Sequence, residues 1–284
     1  MSKRREIETL EIEKIVEKLC LKSNIILRAD VLRALKKVCK NETKNPVAKK
    51  MLQLLVDNAK IAEKEKIAIC QDTGLVTVFI EMGDKVIIRG GNIVDAVNKG
   101  VKEAYQKGYF RKSIVIDPIY RVNTGTNTPC IVHLDVVKGN KCKIIVMPKG
   151  FGSENKGRIS MMNPTSSIET IEQFCVETVK IAGPDACPPY VIGIGLGGTM
   201  DFAALLSKRA LLRPINLYNS SKHIAKMEKS LEKKINDLKI GIMGLGGIST
   251  VLGVNIETAS THIAGLPVAV SISCHALRSA SAEI

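Results

Sequence analysis

The sequence predicts an α+β protein in which a helical N-terminal layer is followed by mixed strands and helices, within a single large domain spanning residues 1–284. Three observations predict this fold class. Apolar residues recur at helical spacing through the first third of the chain, the period changes near residue 67, and no stretch rich in Pro, Ser or charge divides the sequence. With 284 residues, 45% of them hydrophobic and 25% charged, the chain can bury a full core.

The first half of the chain is predicted to contain both element types in succession. Helices are predicted over residues 5–20, 30–40, 46–65 and 92–107, with Asn45-Pro46 marking a helix start. Strands are predicted over residues 67–70, 75–81, 130–137 and 142–147. Lys138-Gly139-Asn140 predicts a hairpin between the last two strands, and residues 149–156 are predicted to form a flexible polar loop.

The second half contains a near-repeat of an apolar run meeting a glycine turn, at residues 192–198 and again at 240–247. Helices are predicted over residues 166–181, 201–212 and 219–237. Gly193, Gly195 and Gly198 satisfy G-x-G-x-x-G, a pattern found in dinucleotide-binding enzymes. An NAD-dependent dehydrogenase is therefore one hypothesis for the function of this chain. The acidic residue that would hold the ribose is missing, because no Asp or Glu lies between Asp201 and Glu228. These glycines are therefore interpreted as close-packing turns, whose backbone N–H groups either hold an anion or serve structure alone.

The formal net charge of +14 raises the question of nucleic acid. The basic residues are dispersed and interspersed with acids, and no Trp, five Tyr and five Phe leave little surface for base stacking. We therefore expect no nucleic acid partner, but an anionic substrate or an acidic partner chain. Without a run of eighteen apolar residues or a signal-peptide core, the sequence predicts no membrane association and a cytoplasmic location.

Eight scattered cysteines in such a chain favour reduced thiols or metal binding over a disulfide framework. Cys20, Cys39, Cys142 and Cys175 occupy apolar positions of helical or strand patterns and are predicted to be core residues, while Cys130 is ambiguous. Three others, Cys70, Cys187 and Cys274, lie in loops that could present a thiolate. Three thiolates would suit an iron-sulfur cluster with one open iron, although composition alone favours a core position for each and their wide spacing gives no local signature.

Five motifs in order give a more specific signal: Cys70-Gln-Asp-Thr-Gly, Asn123-Thr-Gly-Thr-Asn-Thr-Pro129, Lys149-Gly-Phe-Gly-Ser-Glu-Asn-Lys156, Gly183-Pro-Asp-Ala-Cys-Pro-Pro189, and Thr261-His262 twelve residues ahead of Cys274. From about residue 5 to its C-terminus, the chain resembles the α subunit of the class I iron-sulfur fumarate hydratases and L-tartrate dehydratases. The resemblance implies a [4Fe-4S] cluster held by Cys70, Cys187 and Cys274, whose fourth iron acts as a Lewis acid in the reversible hydration of fumarate to malate.

The resemblance also implies roles for five further residues. Asp72 is expected to exchange a proton with the substrate hydroxyl with support from His262, while Gln71, Arg111 and Gly152 are expected to contact a small dicarboxylate substrate. In full-length enzymes of this class, further catalytic residues belong to a second domain, which this chain is expected to lack. A separate β subunit is therefore expected to complete the active site. L(+)-tartrate dehydratase is the alternative activity, and no residue decides between the two substrates.

Overall fold

The computed structural model describes residues 4–284 and confirms the α+β class. The helices are α1 (Thr9–Ile25), α2 (Ala29–Asn41), α3 (Pro46–Glu65), α4 (Ile93–Lys107), α5 (Phe151–Glu154), α6 (Ile168–Ala182), α7 (Met200–Ala210) and α8 (Lys222–Asn236). The strands are β1 (Arg5–Glu8), β2 (Leu75–Gly83), β3 (Val86–Arg89), β4 (Ile131–Val137), β5 (Cys142–Lys149), β6 (Arg158–Met162), β7 (Tyr190–Leu196), β8 (Val251–Thr258), β9 (Leu266–Ser273) and β10 (Ala280–Glu283).

The described chain divides into two compact units. The first contains the described residues up to Arg28 together with Ala59–Phe151 and Arg278–Ile284, and the second contains Ala29–Asn58 and Gly152–Leu277. The helices of the predicted N-terminal layer are divided between these units, because α1 belongs to the first and α2 to the second. A single domain over residues 1–284 stays a prediction, and its residues 1–3 lie outside the described part.

The first unit is built on a four-stranded sheet in the order β10-β5-β2-β4. Strand β2 pairs with β4 in parallel and with β5 antiparallel, so it separates the two strands for which a hairpin was predicted. The hairpin prediction is wrong, because the apolar strand β2 forms backbone hydrogen bonds along both of its edges and so lies between β4 and β5. Helices α1 and α4 pack together, and Gly100 permits their close approach, since a Cβ there would lie 2.5 Å from the Glu13 carbonyl oxygen.

The second unit is built on a four-stranded sheet in the order β6-β9-β7-β8. Along β7, Ile192, Ile194 and Leu196 enter the core cluster that α6 and α8 complete. The alternate positions, Gly193 and Gly195, lie under α7. A Cβ on either glycine would lie 2.1 Å from a carbonyl oxygen of that helix. The alternation of isoleucine and glycine therefore reflects the two faces of a strand covered by helices on both sides.

Four local predictions need correction. Residues 67–70 form no strand, and residues 5–8 form β1, parallel to β3, before the first helix begins. The predicted flexible loop 149–156 contains the one-turn helix α5. The second glycine run of the near-repeat is a 3-10 turn at Ile242–Gly244 with a bridge between Gly241 and Gly246, so only the first run is a strand. Four successive glycines of that run with positive φ favour a folded loop over extended backbone.

Candidate active site

The loop Cys70–Gly74 leads into β2 and carries three of the predicted site residues. Its shape follows from local sequence, because Oδ1 of Asp72 accepts a hydrogen bond from the Gly74 N–H at 2.9 Å, as in an Asx turn. Gly74 has φ +78°, and a Cβ there would lie 2.6 Å from the Lys149 backbone. Asp-Thr-Gly therefore turns the chain where another residue would meet the neighbouring strand.

Three consecutive carbonyl groups of this loop each accept a hydrogen bond from a buried side chain of the first unit. The Asp72 carbonyl accepts from Arg278 Nη2 at 2.8 Å, and the Thr73 carbonyl accepts from the Tyr105 hydroxyl at 2.5 Å. The Gly74 carbonyl accepts from Asn127 Nδ2 at 3.1 Å and again from Tyr105. Burial raises the pKa of Tyr105, so its hydroxyl stays protonated as a donor. The backbone of this loop is therefore held by three residues that lie far apart in sequence, Tyr105, Asn127 and Arg278.

The side chains of Cys70, Gln71 and Asp72 are the predicted site residues of this loop. Cys70 is half-buried, and its Sγ lies 3.3 Å from Oε1 of the exposed Gln71. Asp72 directs its second oxygen, Oδ2, to the Phe151 N–H at 2.8 Å. The carboxylate thus contacts the segment that continues directly into Gly152, which is exposed and has open space around its Cα.

Arg111 lies beside the same loop, because the Thr73 hydroxyl donates to the Arg111 carbonyl at 2.8 Å. The Arg111 side chain is exposed, and no carboxylate of residues 4–284 pairs with its guanidinium. The Asn123–Pro129 motif supports this segment. Nδ2 of Asn123 donates to the Lys112 carbonyl, and the Ser113 N–H donates to Asn127. This motif, selected only by resemblance, therefore has a scaffolding function that the sequence alone did not indicate.

Cys187 and the segment Cys274–His275 adjoin each other in the second unit. The Cys187 carbonyl oxygen lies 3.3 Å from the His275 backbone N, which donates to it, and 3.1 Å from His275 Nδ1. Two of the three predicted ligands are therefore neighbours within this unit.

Cys187 adopts φ +57°, the left-handed region that non-glycine residues rarely occupy. Its N–H donates to the Pro184 carbonyl at 3.1 Å, and the Tyr190 hydroxyl donates to the Gly183 carbonyl, so the turn is held at both ends. Lys156 adds an ion pair to Asp185 at 2.9 Å. A non-glycine residue persists in this conformation only where surrounding contacts hold it, as these contacts do for Cys187.

His262 lies in an exposed loop between β8 and β9 of the second unit. Its Nδ1 accepts a hydrogen bond from the Ala264 N–H at 3.2 Å, and its carbonyl accepts from Gly265. Because Nδ1 is an acceptor, the neutral ring carries its proton on Nε2. The ring can therefore offer a hydrogen-bond donor to a neighbouring group.

The cysteines divide by exposure as a cluster site would require. Five are buried, namely Cys20, Cys39, Cys130, Cys142 and Cys175, whereas Cys70 and Cys274 are half-buried and Cys187 is exposed. The four core predictions are confirmed, and the ambiguous Cys130 is also buried. Burial raises the pKa of Cys130 and of Cys175 to about 12, so these remain thiols at neutral pH. The three cysteines predicted as cluster ligands, Cys70, Cys187 and Cys274, are therefore the three that are accessible.

Among residues 4–284, no group of three or more His, Cys, Asp or Glu side chains is arranged to hold a metal ion. Of the three predicted ligands, Cys70 lies in the first unit, and Cys187 and Cys274 lie in the second.

The glycine motif does not form a dinucleotide-binding turn. Gly193 and Gly195 lie inside β7 and pack against α7. The N–H groups of Gly197 and Gly198 donate to the carbonyls of Pro267 and Ser260, so they are already used within the fold. Of the two interpretations of these glycines, the structure favours close packing over anion binding.

Among residues 4–284, no helix combines the length and apolar character needed to cross a membrane.

Comparison with known proteins identifies the family. Residues 13–283 match the family model described as fumarate hydratase (Fumerase). The chain belongs to the fumarate hydratase family. It is 40% identical over 284 residues to the putative L(+)-tartrate dehydratase subunit alpha of Methanocaldococcus jannaschii, an alignment that covers 97% of this chain and 98% of that one.

Bacterial members of the fumarate hydratase family are similar over a shorter span. The L(+)-tartrate dehydratase subunit alpha of Escherichia coli UTI89 is 33% identical over 253 residues, which covers 88% of this chain and 82% of that one. The same subunit of Escherichia coli K12 is 32% identical over the same length. Membership confirms the resemblance drawn from the five motifs and assigns the chain to the hydro-lyases.

Proposed function

We propose that this chain is the α subunit of a hydro-lyase that, with a β subunit, catalyses the reversible hydration of fumarate to malate. The observation that carries the proposal is the fixed Cys70–Gly74 loop, which presents a thiol, an amide and a carboxylate from consecutive residues of a family member. Such fixed geometry is what positioning for catalysis requires.

Cys70, Cys187 and Cys274 would hold a [4Fe-4S] cluster, and their greater exposure than the other five cysteines supports this assignment. Three ligands leave one iron without a protein donor, and that iron would supply Lewis-acid chemistry to a bound hydroxyl and carboxylate.

Asp72 would exchange the proton of the reacting hydroxyl. Each of its oxygens accepts one backbone N–H, so the carboxyl orientation is fixed while each oxygen keeps a further lone pair for a proton. His262 would assist through its Nε2–H. The exposed Arg111 guanidinium, with Gln71, would bind a substrate carboxylate, because a planar two-donor group matches that geometry. Gly152 would let the substrate approach its backbone, since no neighbour occupies the space a Cβ would take.

A β subunit is part of the proposal. The similar archaeal and bacterial proteins are named alpha subunits, and we infer that this chain likewise completes its active site with a second chain. A cytoplasmic location and the absence of nucleic acid and membrane partners also belong to the proposal. The chain alone, even with its cluster, is expected to be essentially inactive.

The test is anaerobic purification of the chain with and without its β subunit, followed by absorption spectroscopy, iron and sulfide counts and a fumarate hydration assay. A brown protein with about four irons per chain, active only as the two-chain complex, is expected. A colourless protein after anaerobic reconstitution, or equal activity of the isolated chain, would refute the cluster or the subunit assignment respectively.

L(+)-tartrate dehydration is the second candidate, and the names of the similar subunits favour it. Both reactions remove water from a 2-hydroxydicarboxylate, so the same residues serve either. The ratio of kcat/KM for malate to that for L(+)-tartrate, measured on one preparation, decides between them. A ratio below one would replace fumarate hydratase by tartrate dehydratase without changing the roles proposed for the residues.

A further inference from the structure

Arg278 is a buried cation in contact with the Cys70–Gly74 loop. The residue is 2% exposed, and its Nη2 donates to the Asp72 carbonyl at 2.8 Å. Its Nη1 donates to Oδ1 of the fully buried Asn24 at 3.1 Å. The backbone carbonyl of Asn24 accepts the Ile69 N–H at 2.9 Å, so Arg278 and Asn24 bond to the chain on both sides of Cys70.

The surroundings of Arg278 are unusual for a buried arginine. Within the described residues, neither nitrogen with a partner contacts a carboxylate, and Nε has no hydrogen-bond partner. A buried charge normally requires a paired opposite charge, because desolvation is costly. Either Arg278 has a function that outweighs this desolvation cost, or it pairs with a negative charge that the isolated chain does not supply.

We propose that Arg278 is a positioning residue for the site carried by the Cys70–Gly74 loop. It fixes the orientation of the Asp72–Thr73 peptide, while Tyr105 and Asn127 fix the next two carbonyls. Without this bond the peptide can rotate, which moves the Asp72 carboxyl and the Cys70 thiol together. The catalytic consequence rests on the proposed function, whereas the effect on loop order does not.

Cysteine labelling in the cluster-free chain tests the loop directly. The rate at which an alkylating reagent modifies Cys70 is measured by peptide mass spectrometry in wild type, Arg278→Gln and Arg278→Lys, with Cys187 as internal reference. Arg89→Gln is the matched control, because Arg89 belongs to the same unit and forms an exposed ion pair with Glu6. We expect Cys70 to react about tenfold faster or more in Arg278→Gln, the ratio that corresponds to losing one charge-assisted hydrogen bond. Arg278→Lys should be intermediate, and the control and Cys187 unchanged.

Turnover of the reconstituted two-chain complex is the second readout. In Arg278→Gln we expect kcat to fall at least about tenfold with KM within about threefold, because the proton-transfer group is misplaced while carboxylate binding is kept. Arg278→Lys should recover part of kcat. If the wild-type complex has no hydro-lyase activity, the proposed function fails, but the labelling still decides the role of Arg278.

Unchanged labelling of Cys70 in a folded Arg278→Gln would overturn the inference and leave the proposed function intact. If that variant does not fold, Asn24→Ala provides the second test, because it removes the acceptor of Nη1 and frees the guanidinium to leave Asp72. Faster Cys70 labelling in Asn24→Ala supports the inference, and an unchanged rate contradicts it. Circular dichroism and thermal melting establish folding for each variant.

Discussion

Replacing Asp72 with Asn removes one of the two hydrogen bonds that hold this side chain in place. The carboxylate accepts the Gly74 N–H at 2.9 Å through Oδ1 and the Phe151 N–H at 2.8 Å through Oδ2. An amide has a single oxygen, so its NH₂ group must face one of the two backbone donors. The cost is that of a lost charge-assisted hydrogen bond, about 1.5–3 kcal/mol, and the melting temperature should fall by several degrees.

The same change should affect catalysis far more than stability. If Asp72 exchanges the proton of the substrate hydroxyl, Asp72→Asn should lower kcat by about 10²–10⁴-fold, the usual contribution of general acid-base catalysis. The three cysteines are untouched, so iron and sulfide contents should stay at the wild-type level. The assay is steady-state hydration by the anaerobically reconstituted two-chain complex, with metal analysis of the same sample.

Asp117→Asn is the matched control for this prediction. Oδ1 of Asp117 accepts two backbone N–H groups in an exposed turn of the same unit, from Ile119 and Tyr120, each at 2.8 Å. The substitution is chemically the same but keeps that oxygen, so kcat should not change. Turnover of Asp72→Asn within about tenfold of wild type would show that Asp72 is not the proton-transfer group. Loss of the cluster from Asp72→Asn would instead show that the carboxylate serves loop structure.

Three further predictions concern the ligand set, a buried acid and a strand glycine. Cys187→Ser should abolish the cluster absorption, whereas the buried Cys175→Ser should keep it at some cost in stability; equal spectra would refute the assignment. Glu42 accepts three backbone N–H groups. Desolvation raises its pKa, but these hydrogen bonds outweigh that effect and lower the pKa from its ordinary value. The stabilisation by the charged carboxylate is therefore present at neutral pH and lost on acidification. Glu42→Gln should therefore cost about 2–3 kcal/mol at pH 7, and urea titrations should find a smaller difference near pH 3. Gly195→Ala should destabilise by about 3 kcal/mol or more, because its Cβ would lie 2.1 Å from the Ala203 carbonyl oxygen, and near-wild-type melting would contradict that packing.

Local signals predicted the helices better than the sheets. The helix Pro46–Glu65 was predicted with its correct bounds, because Asn45-Pro46 is a start signal and Oδ1 of Asn45 caps the first turn. Strands β4 and β5 were predicted with nearly correct bounds but joined wrongly. Their true neighbour, β2, precedes both in sequence, and a turn signal such as Lys138-Gly139-Asn140 does not report which strand lies between its flanking segments.

The cysteines show the same division between local pattern and tertiary context. Apolar periodicity identified Cys20, Cys39, Cys142 and Cys175 as core residues, since burial on an element face is encoded in its own sequence. The roles of the loop cysteines came only from five motifs taken together. Arg278 drew no attention, because one basic residue among 42 is distinguished only by its burial and by the carbonyl it contacts.

The fixation of the Cys70–Gly74 loop explains why motifs without reactive side chains accompany those that have them. Asn127 carries no proton or metal chemistry, yet it is fully buried and bonds both to Gly74 and to the segment after Arg111. The Tyr105 hydroxyl, on α4, donates to the carbonyls of Thr73 and Gly74. A loop that contains glycine and bears polar side chains loses much conformational entropy when it becomes ordered. Hydrogen bonds from buried donors to its carbonyl groups offset that cost, because water does not compete for those carbonyls in the protein interior. The chemistry of Cys70 and Asp72 thus depends on side chains that meet only in the folded unit.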